Sequence, residues 1–278
     1  MNITAHIATY PELTFVSLYL FRETYSYRIS RLPDGLLLVL GRDRAGPFFM
    51  LPLGLPDPPL LERLFDEHRS MKAVSERQAG GLRALGYAVA EDRDNFDYLY
   101  EREELAVLRG NKYHRKKNLV NQFTRSYRYE GRPLTGERIP GALRVLEQWR
   151  EEHRKPADYQ AAREGLEKSE ELALCGGIYY VSGEPAAYSM GEELGGGRMF
   201  AVHFEKALGR YRGLYQFINQ SFASLLPARY ALINREQDLG DPGLRKAKMS
   251  YRPAGFVKKY RAFAEAPGTA GSAERGGG

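Results

Sequence analysis

Residues 176–205 read GGIYYVSGEPAAYSMGEELGGGRMFAVHFE. Two breaks, Ser182-Gly183-Glu184-Pro185 and Gly195-Gly196-Gly197, divide this stretch into three largely apolar runs at 178–181, 186–190 and 198–205. Short aromatic and aliphatic runs separated by glycine and proline turn signals predict strands joined in hairpins. On the N-terminal side two helices are predicted, over 140–153 and 157–174, with Leu143, Leu146 and Trp149 at helical spacing. On the C-terminal side Gly213 opens a helix that runs to residue 226. A strand at 231–234, a short helix at 244–248 and a last strand at 256–260 follow.

Helices, three hairpin strands, a glycine loop, helix, strand, helix, strand: this order matches a GNAT (N-acetyltransferase-like) domain. In that fold a loop and helix N-terminus after the central strand receive the phosphates of an acyl carrier. The first hundred residues also read as mixed α and β. An apolar helix is predicted at 13–21, a strand meander at 27–30, 36–40 and 48–51, helices at 60–68 and 75–85, and a strand at 96–100. Residues 264–278 contain no bulky apolar side chain and are expected to be a disordered tail.

With 278 residues, 43% hydrophobic and 27% charged, the chain has the balance of a soluble globular protein of one or two domains. The net charge of +6 is mild, so the placement of charge matters more than its sum. Cys175 is the one cysteine, which excludes an internal disulfide and a multi-cysteine metal site; it is expected to be a buried small residue. His6, His68, His114, His153 and His203 show no metal spacing, so no metal is expected. There is neither a G-x-S-x-G elbow nor a Walker A motif. The N-terminus lacks a secretory pattern and the longest clean apolar run is 36–40. A cytoplasmic protein is expected, touching a membrane only from the side.

Three segments carry the sharpest signals. One is His203-Phe204-Glu205-Lys206-Ala207 with Gly213-Leu214-Tyr215-Gln216 and Asn219-Gln220. The second is Ile233-Asn234-Arg235-Glu236-Gln237-Asp238-Leu239-Gly240 with Gly243-Leu244-Arg245-Lys246-Ala247-Lys248-Met249-Ser250-Tyr251. The third is Arg109-Gly110-Asn111-Lys112-Tyr113-His114-Arg115-Lys116-Lys117-Asn118. Together they resemble the C-terminal domain family of the bacterial phosphatidylglycerol lysyltransferases (lysylphosphatidylglycerol synthases) and its soluble relatives. The resemblance runs from about residue 108 to 260 and is most specific over 234–251. It implies an α+β fold of two tandem GNAT-like domains, 1–105 and 106–263, the second catalytic. It also implies transfer of an aminoacyl group from tRNA, which in full-length synthases goes to a lipid headgroup. This chain lacks their long membrane-embedded region, which leaves the acceptor, small molecule or lipid headgroup, open.

On this reading Glu205 and Asp238 are the catalytic candidates, and with Glu236 they orient the amino acid or acceptor amine. Arg235 and Lys248 supply positive charge, Asn234 belongs to the same polar block, and Tyr211, Gln216 and Asn219 shape the pocket. The pattern alone favours a plainer account, in which Glu205 pairs with Lys206 or Arg210 while Glu236 and Asp238 cap the helix at Leu244. The resemblance reverses that preference. Residues 109–128 hold seven Lys or Arg and no acid. A helix over 112–122 would put Lys112, Arg115 and Lys116 on one face, toward phosphates of tRNA or lipid, with Leu119 and Phe123 inward; a solvated face is the alternative. Arg210-Tyr211-Arg212-Gly213-Leu214-Tyr215 is a degenerate acyl-CoA signature whose last position should be Gly or Ala. An acyl-CoA-dependent N-acyltransferase and a non-catalytic binding protein are therefore the rival readings, with Tyr215 against the first.

Overall fold

The computed structural model describes residues 10–153 and 158–264, so the expected tail lies outside the described residues except for Ala264. The first elements are α1 (Phe15–Leu20), α2 (Arg22–Tyr25), β1 (Arg28–Arg31), β2 (Leu37–Asp43), β3 (Gly46–Met50), α3 (Pro58–Glu67), β4 (Ser70–Val74), α4 (Glu76–Ala84) and β5 (Ala88–Glu91). Then come β6 (Asp97–Glu101), α5 (Arg102–Val107), α6 (His114–Ser126), β7 (Tyr129–Pro133), α7 (Ile139–Glu152) and α8 (Tyr159–Glu167). The last are β8 (Cys175–Val181), β9 (Glu184–Leu194), β10 (Met199–Ala207), α9 (Leu214–Leu225), β11 (Leu232–Asn234), α10 (Pro242–Met249), β12 (Gly255–Val257) and β13 (Tyr260–Phe263).

These elements form two mixed α/β units, the GNAT-like arrangement. Among the described residues, one unit comprises 21–96 with 257–264; the other comprises 10–20 with 97–153 and 158–256. The first holds a sheet of order β1-β2-β3-β4-β13-β5, and the second a sheet of order β12-β6-β11-β10-β9-β8-β7. The first sheet is thus completed from outside its own run of sequence, while the second uses β6 to β12 in a different order. β13, the last strand of the chain, inserts between β4 and β5, and β6, which follows β5, inserts between β11 and β12. The division expected at 105/106 runs differently for this reason. Residues 97–105 and 10–20 lie with the second unit, and residues 257–264 lie with the first. The single strand expected at 256–260 is two strands, β12 and β13, one in each sheet.

In the first unit Phe49, Leu61, Leu64, Phe65, Met71, Val74 and Leu82 pack between α3, α4 and the sheet. α3 starts where Asp57 accepts from the Leu60 amide, and α4 where Ser75 and Gln78 form a capping box. In the second unit α5, α6 and α9 cover one face of the sheet. Their core includes Leu108, Phe123, Tyr179, Ala187, Ala207, Phe217 and Ile218. The helix expected at 157–174 ends at Glu167, and Ala173 adopts a left-handed φ of 51° before the chain enters β8. Cys175, at the start of β8, is exposed rather than buried. β7 escaped the sequence reading because all five of its residues are exposed, so no apolar alternation marks it.

Gly213 opens α9 with φ 88°. A Cβ there would lie 2.3 Å from the Leu119 carbonyl oxygen and 3.2 Å from Cβ of Phe123, so α6 seats directly on this backbone. Gly183 has the same φ of 87° with nothing within 4 Å. Gly183→Ala is expected to cost about 1 kcal/mol, the left-handed penalty alone. Gly213→Ala should cost at least about 2 kcal/mol more through the clash. Urea unfolding of both variants checks this; equal losses would show that α6 yields freely.

Candidate functional site

The site arises where two neighbouring strands part. β10 and β11 run parallel and pair only from Met199 to Ala201 against Leu232 to Asn234. Just beyond, β10 bulges: Val202 pairs with Gly191 and Phe204 with Met190, leaving His203 as the extra residue. A bulge adds local twist and re-aims side chains. Past it, side chains rather than backbone bridge the two strands.

The first bridge joins Glu205 and Arg235. Arg235 Nη2 donates to Glu205 Oε1 at 2.7 Å, with the two side chains 14% and 11% exposed. Asn219 of α9 reaches the same guanidinium. With its amide oxygen assigned to the side that only donors face, it accepts from Nη1 at 2.6 Å and Nη2 at 3.2 Å. Tyr100 of β6 and Tyr251 flank the guanidinium, their ring centroids 5.9 and 5.4 Å from Cζ. Lys116 of α6 completes the group, its Nζ 4.1 Å from the Tyr251 ring centroid. Burial works against the charge on Arg235, but Glu205 outweighs it and raises the pKa. Burial and the neighbouring Arg235 charge lower that of Lys116. Burial pushes the phenols of Tyr100 and Tyr251 up, so both stay neutral hydroxyls.

The second bridge is His203. Its Nδ1 lies 2.6 Å from Glu236 Oε1 and its Nε2 2.9 Å from Glu192 Oε1, with the ring side chain 3% exposed. Burial lowers the imidazole pKa, but the two carboxylates outweigh it and hold it at about 10. His203 is therefore an imidazolium with both N–H groups donating.

The remaining candidates build the loop that carries Arg235. Lys248 Nζ donates to the carbonyls of Arg235, Glu236 and Gln237 at 2.6, 3.1 and 2.6 Å. Asn234 is buried, donates to Asp97 at 3.2 Å and accepts from the Glu236 amide at 2.7 Å. Asp238 accepts from Tyr98 Oη at 2.5 Å, from Arg245 Nε and Nη2 at 2.8 and 2.7 Å, and from the Gly240 amide at 2.9 Å. Burial would raise its pKa, but these donors outweigh it and hold it well below the usual range. The carboxylate is closed off, so the geometry gives Asp238 the part of an anchor. Neither Asp238 nor Glu236 caps the helix at Leu244; Asp241 does, accepting from the Leu244 amide at 2.6 Å. Lys206 and Arg210 go elsewhere than Glu205: Lys206 binds Asp158 at 2.6 Å and Arg210 binds Gln148 at 3.0 Å.

Tyr211 packs edge-on against Tyr127, and Gln216 is half-buried on α9. The basic run does not form one face. Lys112 precedes α6 in a 3-10 turn and pairs with Glu104 at 2.5 Å. Arg115 is exposed, and Lys116 turns in to Tyr251. Val120 and Phe123, rather than Leu119 and Phe123, are the buried pair of α6. Sequence reasoning missed His203, Glu192, Tyr100 and Tyr251 as members of the site. The period-2 Tyr98 and Tyr100 were the one available signal. Among the described residues no His, Cys, Asp and Glu cluster could hold a metal.

A family model described as phosphatidylglycerol lysyltransferase, C-terminal, matches residues 4–263. The chain belongs to this family. The match spans both units, including the segments where the sequence resemblance was loose. A solved structure of a conserved protein of unknown function from Bacteroides thetaiotaomicron is 32% identical, covers 95% of each chain and has a TM-score of 0.83. The structure of L-PGS from Bacillus licheniformis shares the fold at 13% identity, covering 92% of this chain and 94% of that one with a TM-score of 0.59. An uncharacterized protein of Mycoplasmoides gallisepticum is 25% identical over 177 residues, which is 59% of this chain and 54% of that protein. The chain thus matches about half the length of that curated relative.

The His203 bridge gives stability a defined pH dependence. Its folded pKa of about 10 lies above the ordinary 6.5, so its contribution is full below pH 6.5 and is lost as pH rises toward 10. The stability difference between the native chain and His203→Gln is expected to shrink across that window. Urea midpoints at a series of pH values measure it, and a difference constant over the window would rule out a charged bridge.

Proposed function

We propose that the chain is an aminoacyltransferase that takes its acyl group from aminoacyl-tRNA and passes it to an amine or hydroxyl acceptor. The observation that carries this reading is the Glu205–Arg235–Asn219 arrangement beyond the bulge of β10, in a chain of the phosphatidylglycerol lysyltransferase family. Aminoacyl transfer needs fixed donors where the ester oxygen becomes negative and an acceptor for the proton of the attacking group. Arg235, held by Glu205 and Asn219, and Lys116, which meets an aromatic ring and no carboxylate among the described residues, supply the positive side. Glu205 supplies the negative side, a carboxylate with Oε1 on Arg235 and Oε2 open to a proton-bearing group of the substrate.

The geometry at Gly213 argues against acyl-CoA as the donor. A pyrophosphate would need the N-terminus of α9, where the Leu119 carbonyl already abuts the Gly213 backbone. Tyr215, at the position where the acyl-CoA signature wants a small residue, accepts from Trp149 Nε1 at 2.9 Å. An aminoacyl-tRNA donor would place the protein in the cytoplasm, and a lipid acceptor would make its membrane contact peripheral. No helix among the described residues is long and apolar enough to cross a membrane.

The test follows radiolabel from charged total tRNA into products, with phosphatidylglycerol vesicles and a small-molecule extract as acceptors and acetyl-CoA as the competing donor. Transfer from tRNA is expected, falling by about a hundredfold in Glu205→Gln and in Arg235→Lys. Transfer from acetyl-CoA alone would overturn the reading. For tRNA contact, Arg115→Gln should lower the slope of log affinity against log salt by roughly one, while Lys112→Gln, already paired to Glu104, should leave it unchanged. Equal slopes for Arg115→Gln and the native chain would leave Arg115 as solvated surface.

A further inference from the structure

Beside the Glu205–Arg235 pair, one row of the second sheet holds three oxygen-bearing side chains. Gly177 of β8 is in register with Ser189 of β9, and Ser189 with Glu205 of β10. Directly opposed residues put their side chains on the same face of a sheet, with Cβ atoms about 5 Å apart. Tyr179 lies two residues along β8 from Gly177, and its hydroxyl folds back over that glycine. A Cβ on Gly177 would lie 3.2 Å from Tyr179 Oη. Tyr179 Oη, Ser189 Oγ and the Glu205 carboxylate therefore share one face, in order across three strands.

All three have unused hydrogen-bonding capacity. Ser189 is 0% and Tyr179 1% exposed, and neither hydroxyl makes a hydrogen bond of good geometry among the described residues. Ser221 of α9 makes a looser side-chain contact with the Tyr179 hydroxyl and leaves it capacity to spare. Glu205 spends Oε1 on Arg235, and no hydrogen bond to its Oε2 occurs among the described residues. Buried polar atoms without partners are uncommon in folded proteins and costly to keep. Phe217 packs edge-on against Tyr179 and keeps that end of the row dry.

We propose that Tyr179 Oη, Ser189 Oγ and Glu205 Oε2 form a subsite for a primary ammonium group, the free amino group of the transferred aminoacyl unit. Three acceptors meet the three donors of an ammonium, and the carboxylate supplies the opposite charge. A neutral amide or an acetylated amine offers too few donors and no charge. The ammonium end then lies along the row, and the ester end lies toward Arg235 and Lys116. This assignment rests on the aminoacyl-transfer reading above.

The experiment measures binding of L-alaninamide and L-leucinamide, and of their α-N-acetyl counterparts, to the full chain by calorimetry. The melting temperature is recorded alongside, and Ser189→Ala and Tyr179→Phe serve as variants. The free amides are expected to bind at least about tenfold more tightly than the acetylated ones. Each variant should lose about tenfold in affinity for the free amides. Because each variant also removes a buried unpartnered hydroxyl, its melting temperature should stay level or rise. Equal affinity for acetylated and free amides, no millimolar binding of either free amide, or unchanged affinity with a lowered melting temperature would overturn the subsite. Amides that bind as expected without any transfer from charged tRNA would keep the subsite and remove the proposed donor. Transfer that is indifferent to both variants would do the reverse.

Discussion

Arg235 is a guanidinium largely withdrawn from water, and an uncompensated charge in that position costs several kcal/mol. Everything that offsets the cost comes from a different element: Glu205 from β10, Asn219 from α9, Tyr100 from β6 and Tyr251 from beyond α10. A single cation therefore fixes the helix to the sheet and fixes the two strands where their backbone ladder stops. Loss of Glu205 or Asn219 would strand the cation as well as remove a bond, so these contacts act as one unit and their energies do not add. Tyr100 and Tyr251 contribute the faces of their rings, which attract a cation without needing to ionise.

The loop that delivers Arg235 is shaped to suit a second cation. Glu236 and Leu239 both adopt left-handed backbone, with φ of 54° and 52°, a conformation that side chains of their size rarely take. The curl lets three successive carbonyls converge on Lys248 Nζ and accept its hydrogen bonds, while Glu236, Asp97 and Asp238 add negative charge from further off. Burial, then the Arg235 charge, pulls the Lys248 pKa down to about 8. Asp238, tied to Tyr98 and Arg245, holds the end of the curl in place. The strain in the loop is offset by these bonds, and the reward is a guanidinium set at a fixed angle to the splayed strands.

How far the sequence revealed this follows from what each signal depends on. The hairpins of 176–205, the helix from Gly213 and the GNAT-like order depend on local periodicity and turn residues, and they were legible. The strand exchange was not, because β6 and β13 look like ordinary strands wherever they pair, and only three-dimensional closure decides which sheet takes them. Glu205, Arg235 and Asn219 were named together from the family's motifs. Asp238 was named with them from the same motifs and from its position after a strand. Its partners Tyr98 and Arg245 lie 140 and 7 residues away, and nothing in the local pattern shows that they occupy it. His203 was set aside because its neighbours offer no metal spacing. Its actual partners are carboxylates, one on β9 and one past β11, brought together by a bulge that no spacing rule reports.

The same helix that closes one end of the site builds the other. α9 is fixed at Gly213 by the α6 backbone, and Asn219 follows six residues along, about 9 Å further down the axis. Moving α9 to open its N-terminus for a phosphate would drag Asn219 away from Arg235. A carrier that needs both the helix start and the Arg235 group is therefore at odds with this packing. A carrier that brings its charge in on the side of Tyr251 and Lys116 is compatible with it, since those groups belong to α6 and to the end of α10 and leave α9 where it is. One glycine with no room for a side chain thus holds the start of α9 and the Arg235 group in fixed register.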